Sequence, residues 1–289
     1  MIIAVASGKG GTGKTTVAVS LALTMADRGG VVTYADCDVE EPNGHIFLKP
    51  NIAHVRTVGV PVPNVSDELC TNCGDCAKIC QYGAIASLPQ KVVTFPELCH
   101  GCGGCRLVCP TDAITEGERE VGVVEYGNAG AVAFIGGRLR VGEAQSPPLI
   151  RAVLEGLPSD GLTIVDAPPG TSCPVIAAVQ SADYVLLVTE PTPFGLHDLK
   201  LAIEMLRLIG RPFGVVVNRA DVGDDKVERY CALENVEILL NIPDKREIAE
   251  AYSRGVPAIE AVPKLAGSLA SLIDQITRHA GAARAGLSR

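Results

Sequence analysis

The chain has 289 residues, 47% of them hydrophobic and 4% aromatic, with no tryptophan and a net charge of -8. Its core must therefore be built from Val, Ile, Leu and Ala, which suits a parallel sheet covered by helices. Acidic balance without clustered Lys and Arg speaks against a nucleic-acid surface, no apolar run reaches the roughly 18 residues of a membrane span, and MIIAVASGKGG is no export leader. The expectation is a cytoplasmic protein without a stable membrane anchor.

In chain order, the apolar run IIAVAS at 2–7 predicts a strand. A glycine-rich turn follows, then TTVAVSLALTMADRG, whose apolar positions recur at helical spacing. VVTYADCD at 31–38 is a second strand ending on acids. From about 62 to 117 the composition shifts to Cys, Gly and Pro and the rhythm stops, which marks an insertion. VGVVEYGNAGAVAFIGGRLRVGE at 121–143 reads as a hairpin leading to a helix at 147–157. Further core strands are predicted at 162–170, 182–192 and 213–221, with the helix HDLKLAIEMLRLIG before the last. Apolar strands alternating with helices predict a doubly wound, mainly parallel α/β sheet. Residues 1–61 and 118–289 are then two segments of one core, and 62–117 a small inserted domain. The tail from Leu265 is predicted as a helix whose stripe of Leu265, Leu269, Leu272 and Ile276 serves core packing.

Gly8-Lys9-Gly10-Gly11-Thr12-Gly13-Lys14-Thr15 satisfies G-x-x-x-x-G-K-[ST] between a strand and a helix, the setting of a phosphate-binding loop. Backbone N–H groups of such a loop converge on phosphate oxygens, Lys14 neutralises them, and Thr15 offers its hydroxyl to magnesium. Asp166 ends the strand LTIV in the position of a magnesium-side acid. Asp36 and Asp38 end another strand, where two carboxylates can organise magnesium water and the attacking water.

Lys9 to Thr16 also matches K-G-G-x-G-K-[ST]-T in full. In this the chain resembles the MinD/ParA/Mrp class of P-loop ATPases. The resemblance implies ATP and Mg2+ as ligands, and a dimer in which Lys9 reaches the phosphates bound by the other subunit. That dimer is either a homodimer closed by ATP or a heterodimer with a paralogous ATPase. It further implies that Asp38 orients the hydrolytic water, that Asp36 and Asp166 stand on the magnesium side, and that Asn218 recognises adenine. Asn218-Arg219-Ala220-Asp221 also looks like the N-K-x-D signature of GTP-binding proteins with Arg in place of Lys, so GTP is the competing expectation.

Eight of the 11 cysteines lie between 70 and 109, in two copies of C-x2-C-x2-C-x3-C offset by 29 residues. This is the bacterial ferredoxin pattern, in which the fourth cysteine of each run serves the other cluster. It assigns Cys70, Cys73, Cys76 and Cys109 to one [4Fe-4S] cluster and Cys99, Cys102, Cys105 and Cys80 to a second, in a small α+β ferredoxin-like module. Zinc ribbons share the C-x2-C element but not the triple repeat. Gln81 stands after Cys80 where Pro110 follows Cys109. Cys37, Cys173 and Cys231 are expected to be buried small residues.

Together these features resemble the iron-sulfur MinD-type ATPases of anaerobes. They predict an ATPase switch that governs an electron-transfer module and its contact with a redox or metallocluster partner. A cluster carrier of Mrp type and a MinD/ParA-like spatial organiser with redox sensing are the alternatives. The carrier lacks its expected C-x-x-C in the second core segment, and the organiser lacks a basic amphipathic tail. A cobyrinate-type amide synthase would need an added glutaminase domain.

Overall fold

The computed structural model describes residues 1–287, with side chains through 280. The chain runs β1 (Ile2–Ser7), α1 (Lys14–Asp27), β2 (Val32–Asp36), α2 (Gly44–Leu48) and β3 (Asn51–Val65). The cysteine-rich stretch holds α3 (Asp75–Ile79), β4 (Ile85–Ser87), β5 (Val92–Thr94) and α4 (Gly104–Leu107). Then come β6 (Ile114–Ala129), β7 (Val132–Leu139), α5 (Pro147–Glu155), β8 (Leu162–Pro169), α6 (Cys173–Val179), β9 (Tyr184–Thr189) and α7 (Pro193–Ile209). Last are β10 (Phe213–Asn218), α8 (Lys226–Leu233), β11 (Ile238–Ile242), α9 (Arg246–Ser253), α10 (Ala258–Ala261) and α11 (Lys264–Leu287).

Among the described residues nine strands form one sheet in the order β11-β10-β9-β1-β8-β2-β7-β6-β3. Pairing is parallel from β11 through to β7, and antiparallel for β7 with β6 and β6 with β3. The predicted mainly parallel α/β sheet is thus the fold. β1 sits centrally because it is apolar on both faces. Ala4 and Ala6 join a core with α5, α6, α7 and α8, while Ile3 and Val5 join one with α1, α10 and α11. Such two-sided burial is what parallel strands require.

Two strands of the main sheet escape the sequence reading. β3 is mostly exposed in its first half and contains Pro61 and Pro63, so it lacks the apolar signal of a core strand. Prolines are tolerated there because it is the sheet's edge. β11, on the other edge, is short and half-buried. β6 also starts earlier than the hairpin reading placed it, at Ile114, and pairs with β3 from Asn51↔Asn128 to Val65↔Ile114, with register shifts at Ile52/His54 and Val58/Gly59. The cysteine-rich stretch is therefore carried on a two-stranded ribbon that grows out of the main sheet across 61/62 and 117/118.

Leu265, Leu269, Leu272 and Ile276 are all buried in the core beside α1. Among the described residues no helix is long and apolar enough to cross a membrane. Leu269 is 0% exposed, so Leu269→Ala is expected to lower stability by about 2–5 kcal/mol through lost burial plus a cavity, read by denaturant unfolding.

Candidate nucleotide site and cysteine cavities

The parallel strands β1, β2, β8 and β10 bring their carboxyl ends to one edge of the sheet, the usual place for ligands in open α/β folds. The loop 8–13 leaves β1 there and feeds α1, whose N-terminal residue is Lys14. Gly13 adopts φ 92, and a Cβ on it would lie 2.4 Å from Asn218 Nδ2, so only glycine fits. Asn218 in turn donates from Nδ2 to Thr12 O at 2.9 Å, which pins the loop to the end of β10.

Strand register sets three carboxylates around Lys14. Asp36 pairs across to Asp166, and Asp166 to Val5, just before the loop. Lys14 Nζ donates to Asp166 Oδ1 at 2.7 Å and sits 3.5 Å from Asp38 Oδ2. Burial pulls the Lys14 pKa down, but Asp166 and Asp38 outweigh it, and the net shift is upward. Burial raises Asp38 to about 6 even though Lys14 opposes the shift. Burial, with Asp166 beside it, drives Asp36 well above the usual carboxylate range. One buried ammonium among three carboxylates leaves an excess of negative charge, which suits a divalent cation.

The acids do not all face the cleft. Lys14, Thr15, Thr16, Asp38 and Asn218 line a cleft of about 360 Å³, floored by Gly10, Gly11 and Gly13. Asp166 and Asp36 lie behind its wall, 1% and 0% exposed. Both oxygens of Asp36 are taken by backbone N–H groups, from Asp38 at 3.2 Å and Gly44 at 3.0 Å. In this structure Asp36 holds the loop 38–44 directly. Lys9 is half-buried in the loop before Gly10 and is not part of the cleft lining, and its side chain makes no hydrogen bond or ion pair among the described residues. Thr12 Oγ1 is buried without a partner there.

Other cleft residues were not read from the sequence. Pro243, Asp244, Lys245, Ile248 and Tyr252 line the same cleft. They lie far along the chain in a loop and helix without a motif. Tyr34 is a second omission: fully buried, it donates its hydroxyl to Asp166 Oδ2 at 2.9 Å. The available signal was its place two residues before Asp36, on the same strand face, since a buried tyrosine needs a polar partner. Asp221, the acid of the GTP-like signature, is exposed and accepts from the backbone N–H of Asp244. It does not line the cleft, so the signature's guanine-reading position is occupied by a structural hydrogen bond.

The cysteine repeat folds into two cavities. Cys70, Cys73, Cys76 and Cys109 line one, closed by Val65, Val92 and Ile114. Cys80, Cys99, Cys102 and Cys105 line the other, against Pro61, Val62 and Ile85. Each cavity draws three thiols from one copy of the repeat and the fourth from the other. Tyr82 and His100, one from each repeat, stack with centroids 3.7 Å apart at the second cavity. Backbone N–H groups of Ala84, Gly101 and Ala113 point at the sulfurs of Cys80, Cys99 and Cys109, at 3.3, 3.4 and 3.3 Å. Burial pushes the Cys109 thiol up, but N–H donors from Thr111 and Ala113 outweigh it and leave its pKa below the ordinary value. Among the described residues no three His, Cys, Asp or Glu side chains converge to hold a single metal ion.

Cys37 and Cys231 are buried in the core as expected. Cys173 corrects the expectation made for it: it is exposed, because it heads α6 just after the turn at Gly170 rather than lying within an apolar face.

Tyr34→Phe is expected to leave the fold intact and lower stability by about 1–3 kcal/mol, because it strands a buried carboxylate oxygen of Asp166. Denaturant titration reads the loss. A neutral result would mean that the hydroxyl is not a partner of Asp166 in solution.

The family model of the CobQ/CobB/MinD/ParA nucleotide binding domain matches residues 3–258. An uncharacterized protein of Methanocaldococcus jannaschii is 31% identical over 258 residues, covering 88% of this chain and 90% of its own. A protein of Aquifex aeolicus named iron-sulfur cluster carrier protein is 26% identical, over 95% of this chain and 67% of its own. In fold, the chain is similar to the septum site-determining protein MinD from Pyrococcus horikoshii complexed with Mg-ADP, at a TM-score of 0.60 and 21% identity, with 97% of each chain covered. With a lysine-bearing phosphate loop at the carboxyl edge of a parallel sheet and a family match over most of its length, this chain belongs to the CobQ/CobB/MinD/ParA family and is a P-loop ATPase.

Proposed function

We propose that the protein is an ATP-driven dimeric switch whose nucleotide state governs a two-cluster [4Fe-4S] electron-transfer module at 62–117 and its contact with a redox or metallocluster partner. The observation that carries the reading is the pair of four-thiol cavities, each drawing cysteines from both copies of the repeat. Thiolates that bind a cubane each hold a different iron, so they stand round a cavity instead of about a point. Clusters held there would supply one-electron transfer. The N–H donors aimed at Cys109 stabilise the thiolate form that binds iron.

On the nucleotide side, ATP with magnesium would supply the phosphoryl group that is transferred to water. The loop N–H groups of 8–13, Lys14, Thr15 and Thr16 hold the phosphates in this reading, and Asn218 faces adenine. Thr15, in the cleft, would hold magnesium, and Asp166, behind the wall and bonded to Lys14 and Tyr34, would support it from there, with Asp36 acting at one remove by fixing the loop that carries Asp38. Asp38 is the cleft carboxylate placed to orient water. Occupation of Asp221 by Asp244 supports ATP over GTP. Lys9, with no partner of its own among the described residues, is available to the phosphates of a second subunit. A cation supplied in trans stabilises transition-state charge only once two subunits close.

Two measurements test this. Anaerobically prepared protein should carry about eight iron and about eight acid-labile sulfide per chain, as two cubanes require. Lys9→Ala should keep nucleotide binding and lose ATP-dependent dimerisation and hydrolysis, read by sedimentation and phosphate release. A Lys9→Ala monomer that hydrolyses ATP normally would sink the dimer reading.

The named Aquifex relative favours one alternative, a cluster carrier. Transfer of labelled iron to an apo-acceptor, faster than its loss to a chelator, would decide for it.

A further inference from the structure

The segment between β7 and α5, residues 140–146, is bonded at one side to the loop that follows Asp38 and at the other to a cysteine of the second set. On the nucleotide side Leu139 donates its backbone N–H to Val39 O at 2.9 Å, and Ser146 Oγ donates to Glu40 Oε1 at 2.8 Å. Val39 and Glu40 directly follow Asp38, whose carboxylate pairs with Lys14. On the cysteine side Gln145 Nε2 donates to Cys99 O at 3.0 Å, and Arg119 Nη2 reaches the same carbonyl at 3.5 Å. Glu143 joins the two donors, accepting from Arg119 and from the Gln145 backbone N–H. The side chains of Arg119 and Glu143 are 7% and 1% exposed, so the Glu143 charge depends on Arg119 to remain buried, while Arg119 also lies 3.5 Å from Glu97 Oε2. Among the described residues no hydrogen bond or ion pair joins this segment, or the loop 37–44, to Cys70, Cys73, Cys76 or Cys109.

We infer that Glu143, Gln145 and Ser146 are positioning residues that couple the Asp38–Glu40 loop to Cys99 and its cysteine set, leaving the first set uncoupled. What is being positioned rests on the cluster reading proposed above; the coupling itself does not. A phosphate arriving at Lys14 competes with Asp38 and Asp166 for one buried ammonium, so it loosens the contact that restrains Asp38. Glu40 lies two residues on, and Ser146, 2% exposed, is bonded to it. Gln145 is the residue before it and holds the carbonyl of Cys99, whose sulfur accepts from Gly101 N–H in the same turn. Hydrogen bonding at a ligand sulfur is one of the levers that set a cluster's potential and orientation. Spatial continuity alone does not establish coupling, so the test has to measure it.

The test is hydrogen exchange on full-length, anaerobically prepared protein with and without Mg-ATP, followed separately over 97–103 and 70–77. Ser146→Ala is the informative variant, since the Ser146 side chain does not cap α5 and its loss removes only the bond to Glu40. In the native chain Mg-ATP should change exchange over 97–103 by about fivefold, the worth of one neutral hydrogen bond, and leave 70–77 unchanged. In Ser146→Ala the change should fall to no more than about twofold while nucleotide affinity holds, and adding Gln145→Leu should take away little more, as expected for contacts in series. No response at 97–103 in the native chain, a response equal in both segments, or one that survives Ser146→Ala overturns the inference. Iron and sulfide assayed on the same samples keep the two readings apart. A chain without iron that still shows the response sinks the cluster assignment and leaves the coupling standing; an iron-loaded chain without it does the reverse.

Discussion

The nucleotide half of the molecule depends on one buried ammonium. Lys14 has left water at the start of α1, and only the carboxylates of Asp166 and Asp38 make its charge tolerable there. Those acids come from strands that the sheet order places on one side of β1, so the ion cluster exists only when β1, β8 and β2 are in register. The cluster is also crowded. Tyr34 fills the space behind Asp166 so closely that Gly44 is tolerated only without a side chain, a Cβ there falling 2.4 Å from the ring. A site with an excess of negative charge and a shared lysine is poised to change its partners when phosphate arrives.

The cysteine-rich stretch depends on a different device. A small cysteine-lined unit with almost no apolar core of its own is held by a long antiparallel ribbon, β3 and β6, rather than by a flexible linker. Pairing along its length, unbroken from Gly59 to Val65, fixes the direction in which the two cavities stand relative to the sheet. Prolines at 61 and 63 lie on the sheet's outer edge, where a missing N–H costs no ladder bond and discourages pairing with other chains. The second cavity lies nearer the ribbon's base, lined by Pro61 and Val62, and it is this one that the segment 140–146 reaches. The asymmetry between the two thiol sets follows from where the ribbon enters.

Much of this was legible in the chain because it rests on local chemistry. The strand before Gly8, the glycines at 11 and 13 that adopt positive φ, and the lysine that opens α1 follow one another directly, so spacing alone identifies them. The repeat of the cysteines is equally local, and each of its two cavities takes three thiols from one copy and one from the other. Less was legible where packing decides. The edge strands β3 and β11 lack a two-sided apolar pattern, and the exposed position of Cys173 turns on a helix start that its apolar neighbours Pro174, Val175 and Ile176 concealed.

By itself, then, the sequence determined the residue types and spacings of the phosphate loop and the thiol sets, and the alternation that makes a parallel sheet, because each of these lies within a few residues or a single period. The tertiary structure alone decided which carboxylates face the cleft and which stand behind it. It set Asp221 on the backbone of Asp244, brought Tyr34 to Asp166, and carried Gln145 to Cys99 across 46 positions of chain. Those outcomes depend on strand order and burial, quantities that no local window of sequence contains.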